Sequence, residues 1–374
     1  MIHVQDHGNR RTFSVPRSLV RINGQTVWCN SWMVNLNAVN QADDFNLELP
    51  FQVVESLHSD SSYLLNSIET PSELLVQGTL LVEIFVGFQH DPKPYVEPSD
   101  LTRIMYGLVD SIEVKFSSSG EAVSLSGRNM VAVFLDNKIN EKFPNLTSSQ
   151  IAEMLAEKHG LKPRVAQTYT TVGTYANDES AEMSNDSQAE WDLLTSLAEQ
   201  EGFIVCVLDD FLYFGPLENL LHDQLAQDPM AYTWGQNVLE LSITRNPHAA
   251  KNLTIDVHSY NASQSQHVSA SAKRDFPGAD STYQERHFLA GLTQEQAQQR
   301  AQALVDQLAE MELVGSVTVT GDTQLRVGTR IALYGVGQVL SDFYYIRKAS
   351  HTFSQTEGYR TNLSISTRLL GGDS

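Results

Sequence analysis

Cysteine is almost missing from this 374-residue chain: Cys29 and Cys206 are the only two, set in separate blocks. That excludes a disulfide framework as the main support, and no Cys-x-x-Cys pair offers a zinc or redox motif. Two reduced structural thiols in a cytosol-made protein are expected, so the Asn-x-Ser/Thr triplets carry no meaning as glycan sites. Long apolar runs are missing too. None reaches the ~20 residues that carry a helix across a bilayer, so no integral membrane segment is expected. Residues Met1 to Pro16 are polar and lack an apolar signal core, which argues against signal-peptide export. Basic residues are scarce, 25 Lys and Arg against 45 Asp and Glu, for a formal charge of −20. Such a surface repels phosphate backbones, so sequence-specific nucleic-acid binding is not expected. The acidic excess has two readings: solubility of a large protein, or a path along which DNA slides without sticking.

Catalytic signatures are also wanting. His3 and His7 have His-x-x-x-His spacing, but no apolar stripe supports a helix there and Asp6 breaks the His-Glu-x-x-His pattern. Asp209-Asp210 could be half of a carboxylate pair, yet two acidic residues between short apolar runs read as a solvated hairpin tip. Gly335-Val336-Gly337-Gln338-Val339-Leu340 lacks the third glycine of a dinucleotide fingerprint and lies between strand signals, so it reads as a β-turn. No Gly-x-Ser-x-Gly elbow is present. Trp191, on a helical stripe, reads as a core anchor and not as a ligand platform. No catalytic, cofactor-binding or metal-ligating residue is therefore nominated.

What the chain does have is a capped helical block between two β-rich arms. Thr147 and Gln150 stand three apart, so each side chain can satisfy an orphan amide of a first helical turn. Ile151, Met154 and Leu155 then share one face, and Gly160 closes the helix. Ser187 and Glu190 suggest a second box, followed by Leu193, Leu194, Leu197 and a stop at Gly202. Phe203 to Phe214 reads as a hairpin turned at Asp209-Asp210.

Before this block, alternation at Trp32, Val34 and Leu36, at Phe45, Leu47 and Leu49, and from Ile104 to Phe116 predicts antiparallel strands. Leu81 and Phe85 make the strand with Val82, Ile84 and Val86 apolar on both faces. Phe88 to Pro94 is read as an exposed proline-rich loop. Mostly apolar alternation with short turns favours a closed barrel over an open sheet with raw edges. After the block, Leu239, Leu241 and Ile243, then Leu253, Ile255 and Val257, continue the β pattern. Asn261 to Thr282, rich in Ser, Gln and Ala, is read as a long loop. Thr293 and Gln296 form a third box before a helix with Ala297, Ala301, Leu304, Val305 and Leu308 on one face. Strands resume at Val317, Ile331, Tyr344 and Leu363. The fold class is α+β, mainly β, with domains at 13–135, 136–235 and 236–370. The last is interrupted by the loop and helix at about 261–313.

The arms resemble each other. Gly78-Thr79-Leu80, Tyr106 to Phe116, a turn at Gly120 and Val123 to Arg128 match Gly328-Thr329-Arg330, Tyr344 to Phe353, a turn at Gly358 and Leu363 to Arg368. The second barrel is then split, one part near Val238 to Tyr260 and the rest from Val314 to Leu370. Two similar barrels per chain in a three-fold ring place six similar units about one axis.

Several segments carry a likeness to a known family: Leu125-Ser126-Gly127-Arg128-Asn129-Met130, Phe143-Pro144-Asn145-Leu146-Thr147, Glu190-Trp191-Asp192-Leu193-Leu194, Glu201-Gly202-Phe203, Val327-Gly328-Thr329-Arg330-Ile331 and Gly358 to Leu363. Over about residues 13 to 370 the chain resembles the tail hub proteins of contractile phages and related injection machines, the phage late control protein D family. The resemblance implies two tandem tube-type antiparallel β-barrels joined by a small helical domain. It implies a homotrimeric structural baseplate hub that adapts a hexameric tail tube to a trimeric central spike. Tail tube protein, spike protein, tape measure and other baseplate proteins are the implied partners. A virion location, after assembly in the host bacterial cytoplasm, follows from the same likeness. A carbohydrate-active or cell-wall-degrading β protein is the alternative from another class. No fused wall-degrading domain is expected, since only Gly371 to Ser374 follow Leu370.

Overall fold

A computed structural model describes residues 15–38, 41–50, 78–89, 96–117, 120–139, 143, 145–169, 171–172, 188–217, 219–220, 228–246, 252–261, 266–275, 281–290, 292–310 and 313–367. His3, His7, Ser187, Arg368 and most of the loop after Phe88 lie outside the described residues.

The first arm contains β1 (Val15–Ile22), β2 (Gln25–Val27), β3 (Ser31–Leu36), β4 (Asp44–Pro50), β5 (Leu81–Gln89), β6 (Thr102–Ser117) and β7 (Gly120–Asn129). Inward positions alternate as the sequence predicts: Trp32 and Val34 on β3, Phe45, Leu47 and Leu49 on β4, and Val82, Ile84 and Val86 on β5 are all buried. Each such side chain contributes roughly 1.5–3 kcal/mol relative to exposure. The second apolar face of β5 has a use: Leu81 packs on the helical block.

That block comprises α1 (Ala132–Asp136), α2 (Ser148–Lys158), β8 (Lys162–Val165), α3 (Glu190–Glu201), β9 (Ile204–Leu208) and β10 (Phe211–Gly215). The box at α2 forms, with the Gln150 N–H donating to Thr147 Oγ1 at 3.4 Å and the Thr147 N–H to Gln150 Oε1 at 3.0 Å. Gly160 and Gly202 hold φ of 71° and 69° where the helices stop, a conformation that costs glycine little. The second box is a correction. The N-cap of α3 is Ala189, whose N–H reaches Asp192 Oδ2 at 3.4 Å. Glu190 is instead the first helical residue and is buried, where it pairs with Lys158 and His159 at the end of the neighbouring helix.

The second arm contains β11 (Met230–Thr233), β12 (Val238–Arg245), β16 (Leu313–Thr320), β17 (Arg330–Tyr334), β18 (Phe343–Ser354) and β19 (Gly358–Ser366). Between β12 and β16 come β13 (Asn252–Asn261), β14 (Gln266–Arg274), β15 (Thr282–Ala290) and α4 (Gln294–Glu310). The reading of residues 261–282 as a loop is overturned. Val268, Ala270 and Ala272 of β14 alternate with Ser269, Ser271 and Lys273 and bury against α4, beneath Ala297, Ala301 and Val305. Small apolar residues suffice because a helix lies close over them, and alanine in a strand gives little sequence signal. Leu253, Ile255 and Val257 belong to this separate three-stranded sheet and not to the second arm.

The two arms are one sheet of 13 strands over one core. Within it, neighbours run β3-β4-β7-β6-β5 in the first arm and β12-β16-β19-β18-β17 in the second, all antiparallel. Chain order and pairing order therefore agree between the halves. A bulge sits at the same place in each: Asp110 lies seven residues before Ser117, and Arg347 seven before Ser354. This registration moves the sequence match of the last strands by two residues. Leu125 corresponds to Leu363, and Ser366, not an arginine, stands where Arg128 does. Arg128 is tied to the first half by Asp110, which takes both its Nε and Nη2 donors, at 2.6 and 2.8 Å.

Candidate functional site

β18 lies between two neighbours on one side. Its first residues pair with β17, and Ala349 to Ser354 pair with β3, as Ala349 with Leu36, His351 with Val34 and Phe353 with Trp32. This seam joins the halves. The Trp32 and Phe353 rings stack with centroids 5.9 Å apart and planes 13° apart, and the Trp32 Nε1–H donates to Ser18 Oγ at 2.7 Å. His351 is fully buried there. Its Nε2–H donates to the Leu325 carbonyl at 3.1 Å, so Nδ1 is the acceptor for the Tyr359 hydroxyl at 2.8 Å. Burial pushes the imidazole down to about 4, so it is neutral in the fold.

Each half contributes a different strand to the seam, and among the described residues the reciprocal pair is not joined in this way. β6 pairs with β5 only as far as Leu108; beyond its bulge, no described strand lies on that side. β12 has β16 as its single neighbouring strand among the described residues. In the halves' common register Val114 and Phe116 of β6 correspond to His351 and Phe353, while Leu241 and Ile243 of β12 correspond to Trp32 and Val34. Phe116 is 67% exposed and Leu239 49%, although both strands carry apolar alternation. Open apolar edges of this kind are pairing templates.

The residues weighed for chemistry do not converge. Asp209 accepts from Arg103 Nε at 3.1 Å, while Asp210 accepts from Lys162 Nζ at 2.7 Å, which holds its carboxyl below the usual range. The two carboxylates thus serve separate cations. Trp191 is buried with its ring 6.2 Å from Phe134. Gly335 and Gly337 take φ of 78° and 90° in the turn between β17 and β18. Both thiols are free, and burial pushes each up to about 12. Among the described residues no group of three metal-ligating side chains forms.

Two polar clusters, one buried and one half-buried, were invisible in the sequence. Glu190 binds Lys158 Nζ at 2.9 Å and His159 Nε2, sealing the end of α2 against the start of α3. Asp43 lines a cavity of about 140 Å³ with Leu36, Ile104, Cys206 and Arg326, where the first arm, the β9–β10 hairpin and β18 meet. It accepts from the Asn37 N–H at 2.7 Å and from Asn129 Nδ2 at 3.2 Å. Burial pushes its carboxyl up to about 7. No spacing rule links these partners, which lie on separate elements.

The architecture is shared with solved structures. A tail protein from Neisseria meningitidis is similar over 94% of this chain and 96% of its own, with a TM-score of 0.66 at 13% identity. The 43 kDa tail protein of prophage MuSo2 from Shewanella oneidensis is similar over 93% and 97%, with a TM-score of 0.64 at 15% identity. An E. coli component of the type VI secretion system is similar over 92% and 76%, with a TM-score of 0.51 at 10% identity. At these identities the likeness establishes the fold. No curated protein matches the chain in sequence. A family model described as the Alg8 N-terminal domain matches residues 71–355, more than half of the chain, and the chain therefore belongs to the Alg8 N-terminal domain family.

Proposed function

We propose that this chain is the structural hub of a contractile phage tail or related injection system, a homotrimer that adapts a hexameric tail tube to a trimeric central spike. The observation that carries this reading is the β3–β18 seam, together with the edges of β6 and β12 that no strand covers among the described residues. Repeating the seam between chains sets Val114 of one copy against Ile243 of the next, and Phe116 against Leu241. A heterologous contact of this kind closes into a ring when its rotation allows. Three copies then present six similar five-strand units, with alternate seams inside and between chains. The shared fold of the Neisseria meningitidis and Shewanella oneidensis tail proteins supports a tail setting.

In this reading the tail tube protein stacks on one face of the ring and the spike on the other. Tape measure and further baseplate proteins lie nearby in the virion, after assembly in the host cytoplasm. The formal charge of −20 suits a channel that does not retain nucleic acid. In this reading the hub works by geometry and not by catalysis, and the engagement of Asp209 and Asp210 by separate cations supports it over the enzymatic rival. Sedimentation of the full chain tests the assembly. A species of three times the chain mass supports it, and a monomer that persists at high concentration with spike protein added contradicts it.

A further inference from the structure

The β3–β18 seam inside the chain and the β6–β12 boundary proposed between chains occupy equivalent places in the two halves. Side chains alternate across a strand, so register fixes what each boundary presents on the face away from the core. There the seam inside the chain sets Ser350 opposite Asn35, Thr352 opposite Met33 and Ser354 opposite Ser31, with no charged side chain in the row. In the common register, Glu113, Lys115 and Ser117 of β6 stand where Ser350, Thr352 and Ser354 do. Likewise Thr244, Ser242 and Glu240 of β12 stand where Asn35, Met33 and Ser31 do. Charges therefore occur in this row only on the edges that no strand covers among the described residues. The Lys115 and Glu113 side chains are 57% and 63% exposed, with Lys115 Nζ 3.0 Å from Glu113 Oε2. Glu240 is exposed, and its carboxylate has no ion-pair partner among the described residues.

We infer that Lys115 of one copy pairs with Glu240 of the next, and that this ion pair selects which edges join in the ring. The inference rests on the hub reading and adds the residues that give its boundary specificity. Repeating the β3–β18 register between copies sets Lys115 opposite Ser242, with Glu240 the next outward residue along β12. Such diagonal neighbours lie roughly 7–8 Å apart, within reach of a long side chain. Glu113 comes opposite Thr244, on the other side of Lys115, so the lysine lies between two carboxylates that stay apart. The contrast between the two boundaries has a physical reason. Inside the chain, covalent connection keeps β18 beside β3, and neutral residues suffice. Between chains only the edges choose the partner, and an open strand is a template for many others. Two β12 edges would bring Glu240 together with no outward cation, whereas β6 offers Lys115.

Carbodiimide coupling tests the contact, because the reagent joins an amine to a carboxylate only at ion-pair distance. In trimers assembled from a mixture of unlabelled and isotope-labelled full chain, the expected product is an amide between Lys115 and Glu240 peptides of different label. It disappears in Lys115→Arg, which keeps the charge but not the reactive amine. Charge reversal, read by sedimentation equilibrium at low salt, tests the selection. Lys115→Glu and Glu240→Lys are each expected to weaken trimer formation at least about ten-fold, since one exposed pair contributes little but every seam of the ring changes at once. The double reversal regains most of that loss, and rising salt narrows the differences. Both positions are exposed, so circular dichroism of the variants stays native. Trimers undiminished by either single reversal, a double variant no stronger than the singles, or Lys115 coupled only to Glu113, in the same copy or another, overturns the inference and leaves the ring standing. A native chain that forms no trimer overturns both.

Discussion

Phe45 of β4 packs directly over Gly127 of β7, so that a Cβ at Gly127 would stand 2.6 Å from Phe45 Cζ and 2.0 Å from the Leu108 carbonyl oxygen. At the equivalent place in the second half the sizes are exchanged. Gly315 of β16 lies opposite Ile365 of β19, where an added Cβ would meet Ile365 Cγ1 at 3.2 Å. Each half fills the same hole beside its bulge with one large residue and one glycine, but from opposite strands.

Gly127→Ala is therefore expected to destabilise the first half strongly. The nearest clash is with backbone, which cannot swing aside, so a loss of about 3 kcal/mol is expected. Gly78→Ala, with nothing within 4 Å of its added Cβ and no positive φ, should stay within about 0.5 kcal/mol. Urea midpoints of the two variants check the contrast.

Buried His351 and half-buried Asp43 give opposite pH dependences. The folded pKa of His351 is depressed to about 4, so its neutral form stabilises the fold above about pH 6.5. That contribution is lost as pH falls from 6.5 through 4, by at most roughly 3 kcal/mol. The folded pKa of Asp43 is raised to about 7, so its contribution is full below its ordinary value near 3.8 and is lost as pH rises through 7. In the native chain the two partly cancel between pH 4 and 6.5. Asp43→Asn is expected to steepen the acid-side loss, and His351→Gln to flatten it, in urea midpoints measured from pH 4 to 8.

Glu190 holds Lys158 and His159 from a position almost sealed from water. Glu190→Ala strands Lys158 and His159 at the α2–α3 junction, and a loss of about 3 kcal/mol is expected. Glu190→Gln, which keeps an acceptor, should lose less. Hydrogen exchange of α2 and α3 amides reads the effect locally and separates it from the β arms.

The strands whose inward residues alternate Trp32-Val34-Leu36 and Phe45-Leu47-Leu49 were legible in sequence, because period-two burial leaves a period-two record. So were the boxes at Thr147 and Thr293, where partners stand three residues apart. β14 was not, since its buried face is built from Ala270 and Ala272 and looks polar on any hydropathy count. Glu190 was misread because a carboxylate near a helix start suits a cap, and its actual partners lie about thirty residues away. The duplication was legible in pattern, but its register came only from the bulges at Asp110 and Arg347. The candidate seam could not be seen at all. Which edges stay open is a property of pairing, and Phe116 and Leu241 read as ordinary strand residues.

The ring seam has a direct test in the double variant Val114→Cys/Ile243→Cys. In the proposed ring, a seam with the β3–β18 register would set these two positions opposite each other across neighbouring copies. Mild oxidation followed by a non-reducing gel should give a ladder that ends at a covalent trimer, while the out-of-register pair Val114→Cys/Leu239→Cys gives far less. A monomer band that survives oxidation, or a ladder running on past the trimer, would contradict the closed ring.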